Sequence, residues 1–473
     1  MRHLLKASWN GLALCLSLAA NSVVAAKDPQ PLSLHPDNPH YFLFRGKPTL
    51  LIGSSERYGA VLNLDFDYLR YLDEVQARKL NVVRIFSGTY VEPASAFHIT
   101  NNTLAPATSR FLCPWARGAS PGFTDGGNKF DLGRWDEAYF KRLRDFVGQA
   151  GRRGIVVELS LFSPFYHEEI WSLSPMNERN NVNHVGRAGR TNVFTLDKDG
   201  GLLLVQEALV RKLVAELKDF DNLYYEICNE PYFGGVTPAW QQRMADTVTD
   251  AEREFPVRHL IAENVANGRA PILNLAPGIS IFNFHFALPE AVATNYAINK
   301  VIGCNETGFK GTEDTPYRMQ AWEFVLGGGG LFLNLDYSFT LANPDGTFAP
   351  PPQQAGGGSP SLRSQLRILS EFIHGLDFLR MRPDHSIVRA GVPERGRVQS
   401  LAAPGKQYAV YLRGGAQANL VLDLEAGSYQ VEWLNPRTGR VMKPERIKHP
   451  GGKVVLVSPP YEQDIALRLT NRK

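Results

Sequence analysis

The sequence predicts a (β/α)8 barrel followed by a small antiparallel β-sandwich, and three observations carry that reading. Across residues 50–338, eight short β-branched or apolar runs alternate with stretches of helical periodicity, the order that a barrel of parallel strands requires. The fourth and the seventh of those runs each end in a glutamate, Glu230 and Glu306. After Pro383 the texture changes to short alternating runs divided by turns, the pattern of a sandwich of about 90 residues.

Residues 1–26 read as an export signal. Arg2, His3 and Lys6 form a basic start, 11–20 an apolar stretch, and Val24, Ala25 and Ala26 a small-residue cleavage site before Lys27. The apolar stretch is too short to span a bilayer, and no later one is long enough. The expected protein is therefore secreted or periplasmic, cleaved after Ala26 and without a membrane-inserted segment. Residues 27–382 are assigned to the barrel and 383–473 to the sandwich. A short hairpin around Tyr41–Lys47 precedes the first strand.

Candidate strands are 49–54, 81–86, 155–162, 223–229, 260–264, 280–285, 300–306 and 330–337. The helical stretches are 66–80, 135–150, 202–218, 238–255, 315–326 and, after the eighth strand, 361–381. A doubly wound open sheet is the alternative, weakened because Gly53-Ser54-Ser55-Glu56 stands where a GxGxxG turn would follow the first strand. Three long loops, 89–129, 163–195 and 342–360, stand out. The first two follow strands two and three and read as walls of a substrate site; the third, with three prolines and three glycines in short runs, reads as a flexible rim. The sandwich strands are expected at 407–412, 418–424, 428–433, 453–456 and 464–469.

Composition agrees with a large folded protein. The chain has 473 residues, 44% hydrophobic and 21% charged, which excludes disordered, collagen-like and multi-span classes. Its net charge of +4 includes Arg2 and Lys6 of the leader, and its cations are interleaved with acids, so no nucleic-acid partner is implied. Beyond Cys15 of the leader, Cys113, Cys228 and Cys304 form neither a disulfide framework nor a CxxC pair, and HExxH is absent. Neither a metal nor an organic cofactor is expected.

The sharpest local signal is Tyr224-Tyr225-Glu226-Ile227-Cys228-Asn229-Glu230-Pro231, a strand stopped by proline immediately after an acid. Alternation puts Tyr224, Glu226, Cys228 and Glu230 on one face, which leaves Glu230 at the C-terminal mouth, where catalytic groups sit in this fold. The second signal is Lys300-Val301-Ile302-Gly303-Cys304-Asn305-Glu306, again a glutamate with a cysteine two residues before it. Both cysteines are expected to point into the barrel, unbonded to each other. The 76 residues between the two glutamates make three βα units of about 25 each, which supports strands four and seven independently. Two carboxylates facing one another across a mouth suit glycosidic bond cleavage, one protonating the leaving oxygen and the other attacking or activating water.

With these motifs the chain resembles the retaining glycoside hydrolases of clan A, family 5-like barrels in particular. Asn229-Glu230-Pro231 closes strand four as in that clan, and Glu306 closes strand seven. Arg84 matches the strand-two arginine that supports the nucleophile, and His285 the strand-six histidine. Gly46-Lys47-Pro48, the loop from Trp171 to Asn181, and Trp433-Leu434-Asn435-Pro436 resemble a bacterial subgroup with an appended β-domain. The resemblance implies Glu230 as acid/base, Glu306 as nucleophile, a poly- or oligosaccharide substrate and no cofactor. It also implies that Glu306 stays ionised beside Arg84 while Glu230 is held protonated. Two positions depart from the clan. Ala287 stands where a tyrosine is usual, a role that passes in expectation to Tyr296 or Tyr337. Asn334, Asp336 and Tyr337 stand where a tryptophan often closes strand eight, and Asp336 is read as an extra acid for a sugar hydroxyl or a charged sugar. Tyr166, Trp171, Phe86 and Trp322 are candidates for stacking on sugar faces. Glu56 and Glu263 are read as structural. A transglycosylase with the same site and a non-catalytic carbohydrate-binding barrel stay open; a polysaccharide lyase fits two glutamates poorly.

Overall fold

Eight parallel strands run side by side in chain order: β1 (Leu51–Ser55), β2 (Val82–Phe86), β3 (Val156–Phe162), β4 (Leu223–Cys228), β5 (Ile261–Asn267), β6 (Ile279–His285), β7 (Val301–Glu306) and β8 (Leu331–Leu335). The structure, a computed structural model, describes residues 30–256, 258–273 and 275–472; the proposed leader at 1–26 lies outside them. Six of the strands are buried along their whole length, the near-continuous apolar character of a sheet covered on both faces. β1 pairs with β8, and the ladder runs on through β7 to β2. The seam between β1 and β2 is closed differently. Asn81 donates its N–H to the Ile52 carbonyl (3.0 Å) and accepts from Ile52 N–H through its side chain (2.7 Å). Ser55 Oγ accepts from Arg84 N–H and donates to the Arg84 carbonyl (3.0 Å). Gly53 makes the approach possible, since a Cβ there would lie 2.0 Å from the Val82 carbonyl oxygen.

Seven helices cover the outside: α1 (Tyr68–Ala77), α2 (Glu137–Arg152), α3 (Leu203–Leu217), α4 (Pro238–Ala251), α5 (Pro289–Asn295), α6 (Asp314–Leu326) and α7 (Pro360–His374). Their starts are written locally. Asp67 and Asp136 cap α1 and α2, and Thr237 and Ser359 cap α4 and α7, each of the latter two followed by proline. The regular alternation lapses once. Between β5 and β6, the described residues contain no helix, because Pro271 and Pro277 remove donors and Gly268 and Gly278 take left-handed backbones.

The N-terminal meander (Ser33–Leu34, Phe42–Phe44, Lys47–Thr49) plugs the bottom of the barrel. Leu32, Phe42 and Phe44 pack with the inward residues Leu51, Val82, Val156, Tyr224, Ile281, Val301 and Leu331. Arg45 clamps this plug to the α3–β4 turn through both oxygens of Asp221 (2.6 and 2.8 Å).

The C-terminal region is a sandwich of two antiparallel sheets. One contains β9 (Arg397–Ala403), β10 (Gln407–Arg413), β12 (Gly427–Leu434), β13 (Glu445–His449) and β15 (Asp464–Asn471); the other contains β11 (Asn419–Leu424) and β14 (Gly452–Val457). Leu420, Leu422 and Leu456 from one sheet meet Val410, Trp433 and Leu467 from the other in a shared core. β9 and β13 are absent from the sequence reading, because alanines end the one and Glu445, Arg446, Lys448 and His449 surround the lone Ile447 of the other. The sandwich is packed on α6. Arg318 bonds both oxygens of Asp464 (3.0 Å each), Tyr411 adds a third bond to that carboxylate, and Trp322 stacks on Tyr411 at 5.4 Å.

Candidate active site

At the C-terminal mouth the two strand-end glutamates converge, and neither is delivered by simple alternation. On β7 the inward side chains are Val301, which joins the inner core, and Asn305, which reaches Glu158 and Glu226 (2.7 and 2.6 Å). Gly303 between them is small because Asn283 occupies its space, 2.3 Å from where a Cβ would lie. Cys304 therefore faces the helix layer with Phe284, not the barrel interior as expected from the sequence. A register shift between Phe284 and His285 then brings Glu306 opposite His285 and re-aims its carboxylate to the mouth. On β4, Tyr224 and Glu226 point in as expected, bonding Glu158 and Arg84. Asn229 and Glu230 both enter the site although adjacent, because Glu230 takes a left-handed backbone, φ +38°. Tyr58 (+61°) and Phe286 (+50°) are held in the same region, so strained backbone clusters around the mouth.

His285 binds the two acids together. Its Nδ1 lies 3.1 Å from Glu230 Oε1 and 3.4 Å from Glu306 Oε1. One ligand-type atom from each of the three residues lies within 4.8 Å of the others, which is also the donor set of a small metal site. Burial pushes the imidazole down, but the flanking Glu306 and Glu230 carboxylates outweigh it and raise it to about 10, so the ring itself supplies the cation between the acids. Glu306 feels the reverse. Burial pushes it up, yet His285, and behind it Arg84 and Arg57, hold it at about 2. Two further donors fix Glu306 Oε2: Tyr58 Oη at 2.8 Å and Arg84 Nη1 at 3.4 Å. Glu230 Oε2 accepts from Tyr166, whose hydroxyl also accepts from Asn229 Nδ2 (2.8 Å). Asn229 Oδ1 in turn accepts from Arg84 Nη2 (2.8 Å).

Below this layer Arg84 is fully buried among carboxyl groups, ion-paired with Glu226 and 3.6 Å from Glu158. The two acids divide. Burial, then the neighbouring Glu226, raises Glu158 to about 8, while for Glu226 the Arg84 cation and the Ser160 hydroxyl overcome burial and lower it. A cavity of about 320 Å3 opens above the glutamates, with Phe86 and Tyr166 in its wall. That volume sits at the small end of ligand pockets, which span about 300–1,000 Å3.

The structure brings Arg84, Asn229, Tyr166, His285, Glu230 and Glu306 together and leaves the other candidates elsewhere. Asp336 is completely buried in an ion pair with Arg363 (2.7 Å) and accepts from Ser54 and Ser338, so it is a structural acid and offers nothing to a sugar. Trp322 lies under the sandwich. Trp171 packs on Phe165 and donates to the Ala188 carbonyl (3.0 Å), away from the cavity. Tyr337 is buried with its hydroxyl unpartnered among the described residues, and Tyr296 stacks on His40. Neither tyrosine reaches a site carboxylate. The phenol on Glu306 is Tyr58, beyond the end of β1, which the sequence reading misses because nothing local links that loop to β7. Glu56 is structural, as read: it accepts from Gly59 and Ala60 N–H and from Thr103. The third long loop is a tie instead of a loose rim, bonding 100 through Gln354 (3.1 Å) and 311 through the Ala355 carbonyl (3.0 Å).

No family model and no curated protein matches the sequence. Among solved structures, the chain is similar to a candidate glycoside hydrolase from Bacteroides vulgatus, with TM-score 0.66 at 17% identity over 95% of this chain and 84% of that one. It is similar to a protein described as a glycoside hydrolase (0.65, 14%, 93% and 97%). A glycoside hydrolase family 5 protein from Bacteroides vulgatus matches at 0.62 and 14%, over 93% of each chain. These likenesses establish a shared architecture, a (β/α)8 barrel with an appended β-domain.

Proposed function

We propose that the chain is a retaining glycoside hydrolase in which Glu306 is the nucleophile and Glu230 the general acid/base. The observation that supports this best is the meeting of two carboxylates from β4 and β7, with oxygens within 4.8 Å, around one shared imidazolium. Retaining enzymes hold their carboxyl groups about 5–5.5 Å apart, whereas inverting ones need roughly 6.5–9.5 Å to admit a water. The architecture shared with three glycoside hydrolase structures supports the same reading.

Glu306, ionised at any ordinary pH, attacks the anomeric carbon and forms a glycosyl ester while Glu230 protonates the departing oxygen. Glu230 then takes a proton from water, which opens the ester with a second inversion. Tyr58 and Arg84 hold Oε2 of the nucleophile, which leaves Oε1, beside the His285 ring, to carry the attack. The same site with a sugar as acceptor gives transglycosylation. The exposed Tyr232 and Phe233 just beyond Glu230 favour that second reading, and product mass separates the two.

Product stereochemistry in azide tests the roles. Glu306→Ala leaves a hole that azide fills, giving one displacement and an inverted glycosyl azide. Glu230→Ala still forms the ester from activated substrates, and azide opens it to a retained product. Hydrolysis of unactivated substrates by Glu230→Ala should fall about 10²–10⁴-fold. Inverted azide from Glu230→Ala and retained azide from Glu306→Ala would exchange the assignments; full hydrolysis by both variants would remove them.

A further inference from the structure

The walls of the mouth are uneven, and the unevenness has a regular cause. Strands β1, β2, β3 and β8 are followed by long loops that are bonded to one another. The β1 and β2 loops join through Asn63 Nδ2 to the Thr103 carbonyl (2.9 Å) and through backbone bonds from Leu112 to Leu62 and from Leu64 to Arg110. Gly59 makes room for that contact, since a Cβ there would lie 2.3 Å from the Thr103 carbonyl oxygen. The β2 loop bonds the β8 loop at Thr100 and Gln354, and Phe97 packs edge-on against Tyr166 of the β3 loop at 5.6 Å. The β8 loop bonds the β7 loop at Ala355 and Gly311. On the opposite side the connections are short: 229–237 leads from β4 to α4, and 286–288 from β6 to α5. There the rim is low and apolar, with Tyr232 and Phe233 exposed by 38% and 44%, and Phe309 of the adjoining β7 loop by 46%.

A polymer-cleaving cleft needs two open ends, one on either side of the carboxylates. Here one side is a closed wall, and Arg57 and Glu92 lie in it. Glu92 is saturated: its oxygens accept Arg57 Nη2 (2.9 Å) and Nε (3.1 Å), the Tyr90 hydroxyl (2.8 Å) and Asn102 Nδ2 (2.5 Å). Arg57 is nine-tenths buried and lines the cavity, and its Nη1 has no hydrogen-bond partner among the described residues. Glu92 offsets most of the Arg57 charge, so what faces the cavity is a fixed N–H donor suited to a neutral hydroxyl. We infer that the site is a blind pocket, exo-acting on the non-reducing end of its substrate, with Arg57 Nη1 donating to a hydroxyl of the terminal neutral sugar and the leaving group emerging over the β4–β6 rim. This rests on the hydrolase reading above. It specifies which bond is cut.

The test uses the full chain on three sets of probes. These are 4-nitrophenyl β-glycosides of gluco, manno, galacto and xylo configuration, linear hexasaccharides labelled at the reducing end, and the same hexasaccharides with the terminal sugar blocked as a 4,6-benzylidene acetal. The expected result is turnover of a monoglycoside, a labelled pentasaccharide as the first product, and cleavage of the blocked chain at least about 100-fold slower. Arg57→Lys should lower kcat/KM on the monoglycoside about tenfold or more, chiefly through KM, as loss of a hydrogen bond in a buried pocket does. Blocked chains cut at a comparable rate, or early products of mixed length, overturn the blind pocket and leave the hydrolase standing. Absence of turnover on every probe refutes the hydrolase and the inference with it. An Arg57→Lys variant equal to wild type removes Arg57 from recognition, whatever the product pattern.

Discussion

At the scale of single residues, the site's chemistry is set by who surrounds whom. Tyr58, from beyond the end of β1, puts on Glu306 a phenol that neither Tyr296 nor Tyr337 supplies. Tyr58→Phe keeps the ring's stacking on Phe86 at 5.0 Å and removes one hydrogen bond to a charged oxygen. Such bonds contribute about 1.5–3 kcal/mol, so kcat/KM should fall roughly 10–150-fold with little change in Tm. The acid limb of the pH–rate profile should move upward, because Glu306 loses a donor that favours its ionised form. Glu158 offers a test by stability. Held at about 8, it keeps a proton in the folded chain that the unfolded chain releases near its ordinary carboxyl value. Its contribution is thus complete at low pH and is lost as pH rises through about 8. Glu158→Gln mimics the protonated acid, so melting near pH 4.5 should match wild type and the decline up to pH 8 should shrink. The further decline between 6.5 and about 10, as His285 gives up its proton, should stay. Melting curves across that range decide it; an unchanged slope below pH 8 would mean Glu158 is already ionised.

The elements deliver these side chains through local irregularities that regular strands lack. β7 counts Val301, Gly303 and Asn305 inward, and only the register shift beside His285 turns Glu306 to the mouth. β4 does the equivalent with the left-handed backbone of Glu230. The β1–β2 seam depends on Gly53. Gly53→Ala would place a methyl against the Val82 carbonyl, which is main chain and cannot rotate away. Overpacking of this kind costs about 1–3 kcal/mol, and more where backbone must shift. A lowered urea midpoint is expected, together with lost activity even where the variant folds, since Arg84 sits two residues beyond Val82. A wild-type midpoint would show that the seam has slack.

At the scale of the whole molecule, barrel and sandwich are joined by a buried ion pair instead of a linker. Arg318 and Asp464 are both nearly inaccessible, and Arg318→Met leaves the Asp464 carboxylate buried with Tyr411 as its remaining donor. Breaking one partner of such a pair costs about 3–5 kcal/mol. The variant should release a sandwich fragment of about 90 residues under limited proteolysis, and the wild-type chain should not. Release from both alike would place the strength of the interface in its apolar contacts, such as Trp322 on Tyr411.

Neighbours along the chain write part of this fold directly. Periods of 2 and 3.6 residues mark strands and helices, and strand-end glutamates three βα units apart put Glu230 and Glu306 at one mouth. Arg84 and His285 are legible only through the family resemblance, since nothing in their local spacing marks them. Tertiary packing between loops and layers distant in sequence settles the rest. It moved Asp336 onto Arg363 and Trp322 beneath the sandwich, put Tyr58 on Glu306, and turned Cys304 away from the interior. A tryptophan or an aspartate looks the same in sequence whether it faces a sugar or a helix. Which it does depends on the free energy of packing across the whole fold, and that is not encoded at any one position.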